Sequence, residues 1–505
     1  MNGKLKIFIY DLVAVVVTAA LLSLPDIAGY FWPTGFVAVL PLLLRIHKRS
    51  NKARFFIPFL AFFLYLTYVM VWFKLYGIQW LFLVNLMNSV TYALAFLLYF
   101  FIRGKLKSDL SHTIFPVLFV LAEYGKSIGF LSFPWPFLHH GQYANLTFIQ
   151  VAEFTGAWGV TFLLIWFNTA LFGIITSPSK KKALCVAIPV MAAIFAFYIY
   201  GFTVLSQPLP EGTVQVSLFQ RDFNTQNEWS FQNNKNAWDE YHNLTLLEWT
   251  DKLDFQKGGF VIWPEGAIPD AFDDMLLDPV SGSRRDMIQS LTREVGKTFI
   301  IGTQTYDNRG PYNTAAVFGP NGALLGSYRK VHIVPFGEVI PLEQLIKSWF
   351  PDYPWGYESL VDGRELKTIR TPDGKVGIVI CYESFYADLT RRIVADDCDF
   401  LFLITNTSWF GESNASYQHA HYDVFRAVEN RIWLSRAATT GVSSFIDPHG
   451  RRYDETDLYV KDSRTRMICP RIRTTLYTRW GDWFPRLCLI ATLAMLTVAV
   501  YRRNE

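Results

Sequence analysis

Four side chains are of types that could carry acyl chemistry. Each ends an apolar run or sits in the loop that follows one. Cys381 closes the apolar part of "KVGIVICYES" (375–384), and Glu265 follows a strand-like run and a proline in "VIWPEGAIP" (261–269). Lys330 ends "LLGSYRK" (324–330), and Glu338 closes the "VHIVPFGE" that comes next. A thiol attacks as thiolate and needs a base to release its proton; a carboxylate can serve. A lysine ammonium can stabilise the thiolate and then the oxyanion of a tetrahedral intermediate. Taken singly, these residues have plainer readings: a cysteine at a strand end is usually packing, and a lone Glu or Lys is usually solvated. Spacing leaves both readings open, because a sequence shows no proximity.

The elements that must position these groups lie in residues 206–480, where strand-like and helix-like segments alternate. Strands are expected at 213–219, 258–263, 298–304, 314–319, 324–330, 375–381, 399–405, 434–440 and 443–447, with "GPNG" (319–322) as a hairpin turn. Helices are expected at 231–253, 283–296 and 416–432, with a short one between the strands at 375–381 and 399–405. This is the pattern of an α/β sandwich with mixed sheets.

The remainder is a different material. The 505 residues are 51% hydrophobic and 17% aromatic, with 18% charged, below the roughly 25% of soluble proteins. Apolar runs near 6–24, 30–46, 55–73, 78–102, 113–125, 158–177, 183–204 and 483–501 approach the ~20 residues that span a bilayer. The run at 113–125 is the weakest, with Pro116 inside it and Glu123 near its end. The first run has no small-x-small cleavage site and leads into more apolar sequence, so it reads as a span. The division expected is an N-terminal transmembrane domain (1–205, about seven spans), an exported catalytic domain (206–480), and a C-terminal transmembrane helix with a tail (481–505). Lys4 and Lys6, the cluster Arg45 to Arg54, Arg103 to Lys107, Lys180 to Lys182, and Arg502 with Arg503 fall on one side if there are eight spans. Basic loops stay cytoplasmic, so both termini are expected in the cytoplasm and the large domain outside it. The net charge of +4 is then a topology signal; no basic stripe in the large domain suggests nucleic acid. Of five cysteines, Cys185 and Cys488 fall in spans, and a Cys398–Cys469 bridge is left open.

"WPE", "YRKVHIVPFGE" and "GIVICYES" together resemble the Glu–Lys–Cys motifs of the nitrilase superfamily of carbon–nitrogen hydrolases. With the spans added, the whole chain resembles the bacterial apolipoprotein N-acyltransferase family. "FPWPFLHHGQYANLTFIQVAEFTGAWGVTFLLIWFN" (133–168), "TNTSWFGES" (405–413), "QHAHYDVFRAVENRIWLSRAATTGVSSFIDPHG" (418–450) and "RWGDWF" (479–484) resemble further blocks of it. The resemblance implies a nitrilase-like α-β-β-α sandwich, with Cys381 as nucleophile, Glu265 as general base and Lys330 at the oxyanion. It implies that Glu338 helps hold the site, that Tyr382 and Glu383 shape the pocket, and that Trp229, in "NEWSFQ", sits on a mobile arm. It further implies a phospholipid acyl donor, with phosphatidylethanolamine expected, and diacylglyceryl-cysteine lipoproteins as acceptors. It implies a monomer in the bacterial inner membrane, and no metal or diffusible cofactor. The aromatic loop 346–357 is expected as a lid or lipid-contact arm. Arg426 and Glu429 are expected as a structural ion pair. The chain departs from the family at "FQRDFN" (219–224), where Gln-Gly-Asn is usual, and at "NTSWF" (406–410), where Thr407 replaces an acid.

Two rival readings remain at this level. A membrane-tethered amidase would use the same three groups and release product to water, although eight spans are many for a tether. A transporter or scaffold with an inert domain would be expected to carry more ionisable groups in its spans than Asp11 and Glu123.

Overall fold

The computed structural model describes the chain apart from residues 1–2, 107–112, 130–131, 223–230, 252–257, 272–283, 336, 341–342, 344–347, 349–358 and 502–505. Trp229 and the loop 346–357, except Ser348, lie outside the described residues. The chain divides into two compact units, Met1–Pro208 with Trp480–Glu505, and Leu209–Arg479.

The first unit is helical. Among the described residues, seven helical segments are long and apolar enough to cross a membrane: Gly3–Ile27, Gly29–Ile46, Asn51–Val69, Ile78–Leu106, Trp158–Thr176, Leu184–Ser206 and Trp483–Tyr501. The remaining expected crossing is the helix Ile114–Lys126, which has 13 residues. At 1.5 Å per residue it is ~20 Å long, short of a ~30 Å hydrocarbon core. The surface is apolar, with Phe8, Phe195, Phe202 and Ile490 exposed, as suits a surface that meets lipid. The interior is aromatic: Phe62 stacks on Tyr92 with centroids 4.2 Å apart, and Phe96 and Phe119 pack against Phe62. The charges here are satisfied locally. Asp11 accepts from Arg45 at 2.5 Å and Arg49 at 3.0 Å. The buried Glu123 accepts from Leu138 N–H at 2.6 Å, Thr161 Oγ1 at 2.7 Å and Tyr92 OH at 3.2 Å.

In the second unit we number elements in chain order. They are β1 (Val214–Gln220), α1 (Phe231–Asp251), β2 (Gly259–Ala271), α2 (Arg284–Val295), β3 (Thr298–Asp307), β4 (Gly310–Phe318), β5 (Leu324–Arg329), β6 (Ile369–Thr371) and β7 (Gly374–Ile380). Then come α3 (Ala387–Ala395), β8 (Phe400–Thr405), α4 (Asn414–Asn430), β9 (Leu434–Ala438), β10 (Ser444–Ile446), β11 (Arg452–Tyr453) and β12 (Asp462–Ile468). The described strands form two six-stranded sheets, ordered β12-β1-β2-β3-β4-β5 and β11-β10-β9-β8-β7-β6. In each, three central strands run parallel (β1-β2-β3 and β7-β8-β9) and the flanking strands are antiparallel. The parallel strands are buried on both faces and read as continuous apolar runs. Val376, Ile378, Val379 and Ile380 of β7 are at most 1% exposed, each worth roughly 1.5–3 kcal/mol of burial.

The sheets face each other through Phe260 of β2, whose ring lies 5.5 Å from Phe400 and 5.0 Å from Phe402 of β8. The other face of the first sheet is covered by α1 and α2, through a cluster that includes Trp238, Tyr241, Trp263, Ile288 and Leu291. Helices α3 and α4 pack on the second sheet. The order of layers is therefore α-β-β-α. Cys398 and Cys469 are both free thiols. The Cys398 S–H donates to Phe400 O at 3.0 Å, and Trp433 Nε1–H donates to Cys469 Sγ at 3.3 Å.

Candidate active site

Glu265 sits where β2 loses its regular pairing with β3: the register slips between Trp263 and Ile268. A slip of this kind re-aims a side chain. The β3 backbone has to pass close beneath it, and Gly302 allows this. A Cβ at position 302 would meet Pro264 O at 2.2 Å and Glu265 Cα at 2.6 Å. Glu265 is 7% exposed as a residue, and its carboxylate is held at both oxygens. Oε1 accepts from Asn313 Nδ2 at 2.6 Å, and Oε2 accepts from Asn406 N–H at 2.6 Å.

Lys330 is the first residue past β5. Its backbone is pinned on both sides: its N–H donates to Asn313 O at 2.8 Å, and its carbonyl accepts from Gly363 N–H at 2.7 Å. Its side chain is 1% exposed, and the ammonium lies 2.8 Å from Glu338 Oε1 and 3.6 Å from Glu265 Oε1. Burial works against this charge, but the Glu338 carboxylate, then Glu265, then Cys381 outweigh it and raise the lysine above its ordinary range. Glu338 also accepts from Asn313 Nδ2 at 3.2 Å and from Val334 N–H at 2.8 Å. One amide, Asn313, therefore ties both glutamates to one lysine.

Cys381 opens a tight turn, Cys381–Phe385, at the end of β7. Its φ of 53° is left-handed, a conformation that costs a residue with a Cβ roughly 1–3 kcal/mol and persists only where its surroundings impose it. Burial and the Glu265 carboxylate push its thiol up to about 12, against the lowering pull of Lys330 and the Thr405 hydroxyl. The resting thiol is therefore protonated at neutral pH, within the field of a carboxylate and an ammonium.

Glu383 faces inward. It is fully buried, accepting from Val331 N–H at 2.7 Å, His332 N–H at 3.0 Å, Ile380 N–H at 2.9 Å and Tyr328 OH at 3.0 Å. Burial pushes its carboxyl up to about 7, partly offset by the His332 and Ile380 N–H groups. It ties the end of β5, the loop after Lys330 and the nucleophile turn into one piece. Tyr382 is buried among His332, Phe385 and Tyr386. Arg426 Nη2 and Glu429 Oε1 form a buried ion pair at 2.9 Å on α4.

The structure thus brings Glu265, Lys330, Glu338 and Cys381 together and sets Glu383 behind them. Sequence reasoning missed Asn313 and the Asn406 N–H. An asparagine inside the apolar strand "NTAAVF" was the one visible signal for the first; a backbone donor leaves none. At the departures, Arg221 pairs with Glu240 at 2.5 Å and Thr407 is buried. No group of three or more His, Cys, Asp or Glu among the described residues could hold a metal ion. A carboxylate base and a cation beside a protonated thiol suit nucleophilic acyl transfer, in which the thiol loses its proton as it attacks.

Residues 226–462 match the family model described as carbon-nitrogen hydrolase, and residues 18–170 match the one described as apolipoprotein N-acyltransferase N-terminal domain. A protein of Geobacter metallireducens named apolipoprotein N-acyltransferase is 29% identical over 519 residues, covering 98% of this chain and 96% of that protein. One of the same name from Chlorobaculum tepidum is 28% identical over 515 residues, covering 94% and 93%. Apolipoprotein N-acyltransferase 1 of Treponema denticola is 24% identical over 563 residues, covering 100% and 98%. Among solved structures, Saccharomyces cerevisiae Nit3, of branch 10 of the nitrilase superfamily, aligns with a TM-score of 0.40 at 19% identity, covering 53% of this chain and 93% of its own. An amidase from Nesterenkonia sp. aligns at 0.40 and 14% identity, covering 55% and 95%.

Proposed function

Because the chain belongs to the apolipoprotein N-acyltransferase family, we propose that it moves an acyl chain from a phospholipid to the N-terminal amine of a diacylglyceryl-cysteine lipoprotein, through a thioester on Cys381. The chain is an acyltransferase of the nitrilase superfamily, and what is proposed is how its residues divide the work. The observation that carries the reading is the buried contact of Lys330 with both Glu338 and Glu265 beside the Cys381 thiol.

In the first half-reaction Glu265 takes the Cys381 proton as the sulfur attacks the ester carbonyl carbon. The oxyanion is held by Lys330. The bond from that carbon to the glycerol oxygen breaks, and Glu265 returns the proton to the leaving oxygen, giving a lysophospholipid. In the second, the α-amine attacks the thioester carbon and Glu265 takes an N–H proton. The C–S bond then breaks, and the proton passes back to the sulfur. The product is an amide and the free thiol, so protons balance over the cycle. Glu338 keeps Lys330 charged and in place, and Tyr382 and Glu383 support the turn. Trp229 belongs to the reading as an arm residue by resemblance alone.

The donor we propose is phosphatidylethanolamine and the working form a monomer. The chain is divided at 1–205, 206–480 and 481–505, with both termini in the cytoplasm of a bacterial inner membrane. The basic loops support this orientation, with the short helix Ile114–Lys126 taken as the eighth crossing. The test is a product balance. Purified protein given acyl-labelled phosphatidylethanolamine and a diacylglyceryl-cysteine peptide should yield N-acylated peptide and lysophospholipid in equal amounts. Free fatty acid in place of acylated peptide would make it a hydrolase instead.

A further inference from the structure

Nothing intrinsic to cysteine favours the left-handed backbone at Cys381, so the Cys381–Phe385 turn must be held from outside. One face of α4 does this. His419, Asp423 and Arg426 recur at i, i+4 and i+7 and so share a side of the helix. His419 is 1% exposed. Its Nε2 lies 3.0 Å from Ser384 Oγ, and its ring stacks on Phe385, centroids 4.8 Å apart and planes 23° apart. One imidazole thus touches two of the turn's five residues. Arg426 Nη1 donates to Ser384 O at 3.4 Å, and Asp423, on the same face, is fixed by a buried ion pair to Arg436 at 2.6 Å.

We propose that His419 is a positioning residue for acyl transfer: by bonding Ser384 and stacking on Phe385 at once, it holds the turn that carries the nucleophile in its left-handed conformation and aims the sulfur. Burial drives its own titration well below the ordinary histidine range. It therefore serves as a neutral hydrogen-bonding group, and the proton of the thiol goes to Glu265. Of the other side chains, phenylalanine keeps the stack and loses the hydrogen bond to Ser384, while glutamine keeps a donor and an acceptor and loses the stack.

The inference rests on Cys381 being the nucleophile, and the experiment separates the two claims. Full-length wild type, His419→Phe and His419→Gln are compared by steady-state acyl transfer and by single-turnover acylation of Cys381, with thermal unfolding alongside. With His419→Phe, kcat and the acylation rate should both fall about 10- to 100-fold, the scale of an ångström-level misplacement. KM for the donor should stay within about twofold, since substrate binding is not what is lost. The amplitude of acylation should be unchanged. His419→Gln should recover about 2- to 10-fold over His419→Phe, the worth of one hydrogen bond. An unchanged acylation rate in His419→Phe would overturn the proposal. So would a loss of amplitude at unchanged rate, which marks misfolding, or a glutamine variant no better than phenylalanine. If the wild type itself acquires no acyl group on Cys381, the nucleophile assignment fails first and this inference fails with it.

Discussion

Replacing Lys330 with methionine should lower kcat at least 100-fold and destabilise the second unit as well. The lysine side chain is 1% exposed between side chains of Glu265 and Glu338 that are 9% and 17% exposed. Methionine fills similar volume and leaves two carboxylates sharing the neutral Asn313 amide, with no cation between them. Removing one partner of a buried ion pair costs about 3–5 kcal/mol, because the remaining charge is uncompensated. Loss of an oxyanion donor costs about 10²–10³ in kcat. The thiol also loses the cation that pulls it down, so less thiolate is available to attack. The two effects can be told apart. In Lys330→Met/Glu338→Gln one surplus charge is gone, so the melting temperature should rise relative to Lys330→Met while kcat stays low. Recovery of rate together with stability would assign Lys330 a structural part only.

Glu265→Gln should leave the fold in place and remove turnover. The amide oxygen can keep the hydrogen bond from Asn406 N–H or the one from Asn313, and Lys330 keeps Glu338 at 2.8 Å. What disappears is the acceptor for the thiol proton, which is worth about 10²–10⁴ in rate. A second signature has a fixed sign. The Glu265 carboxylate raises the Cys381 thiol, so the variant should titrate below the wild type. Its Cys381 should therefore react with iodoacetamide at lower pH even as catalysis fails. A variant that is both active within tenfold and unshifted in thiol titration would remove Glu265 from the role of base.

How much of this was legible beforehand follows from where the information resides. Glu265, Lys330 and Cys381 were visible because each interrupts a run apolar enough to be a strand, and a charged or thiol group at such an end stands out. The direction in which a side chain faces was not visible. Glu383, two residues beyond the cysteine, reads like a pocket residue, yet it bonds backbone N–H groups at 331, 332 and 380. Asn313 joins Glu265 to Glu338 only because the antiparallel pairing of β3 with β4 and of β4 with β5 carries it across the sheet to Lys330. No local pattern encodes such a pairing. Of the four edge strands, only β5 lay within an expected strand (324–330). The strand β12, "DSRTRMI", carries two arginines and completes the first sheet against β1, where half of its surroundings are solvent. Two-residue β11 and three-residue β6 are too short to leave a periodic signal. In the membrane unit length was the deciding quantity. The stretch at 113–125 was the weakest expected crossing, and its helix has 13 residues, with Glu123 and Lys126 at its buried end.

In this mechanism the acyl chain rests on Cys381 between the two lipid substrates. The most direct measurement is mass spectrometry of the intact protein and of the Cys381 peptide after incubation with phosphatidylethanolamine, with Cys381→Ala beside it. One acyl mass is expected on Cys381, absent from Cys381→Ala, stable in water and discharged when a diacylglyceryl-cysteine peptide is added. An acyl mass on another residue, or none on the wild type while the peptide is nevertheless acylated, would contradict this mechanism.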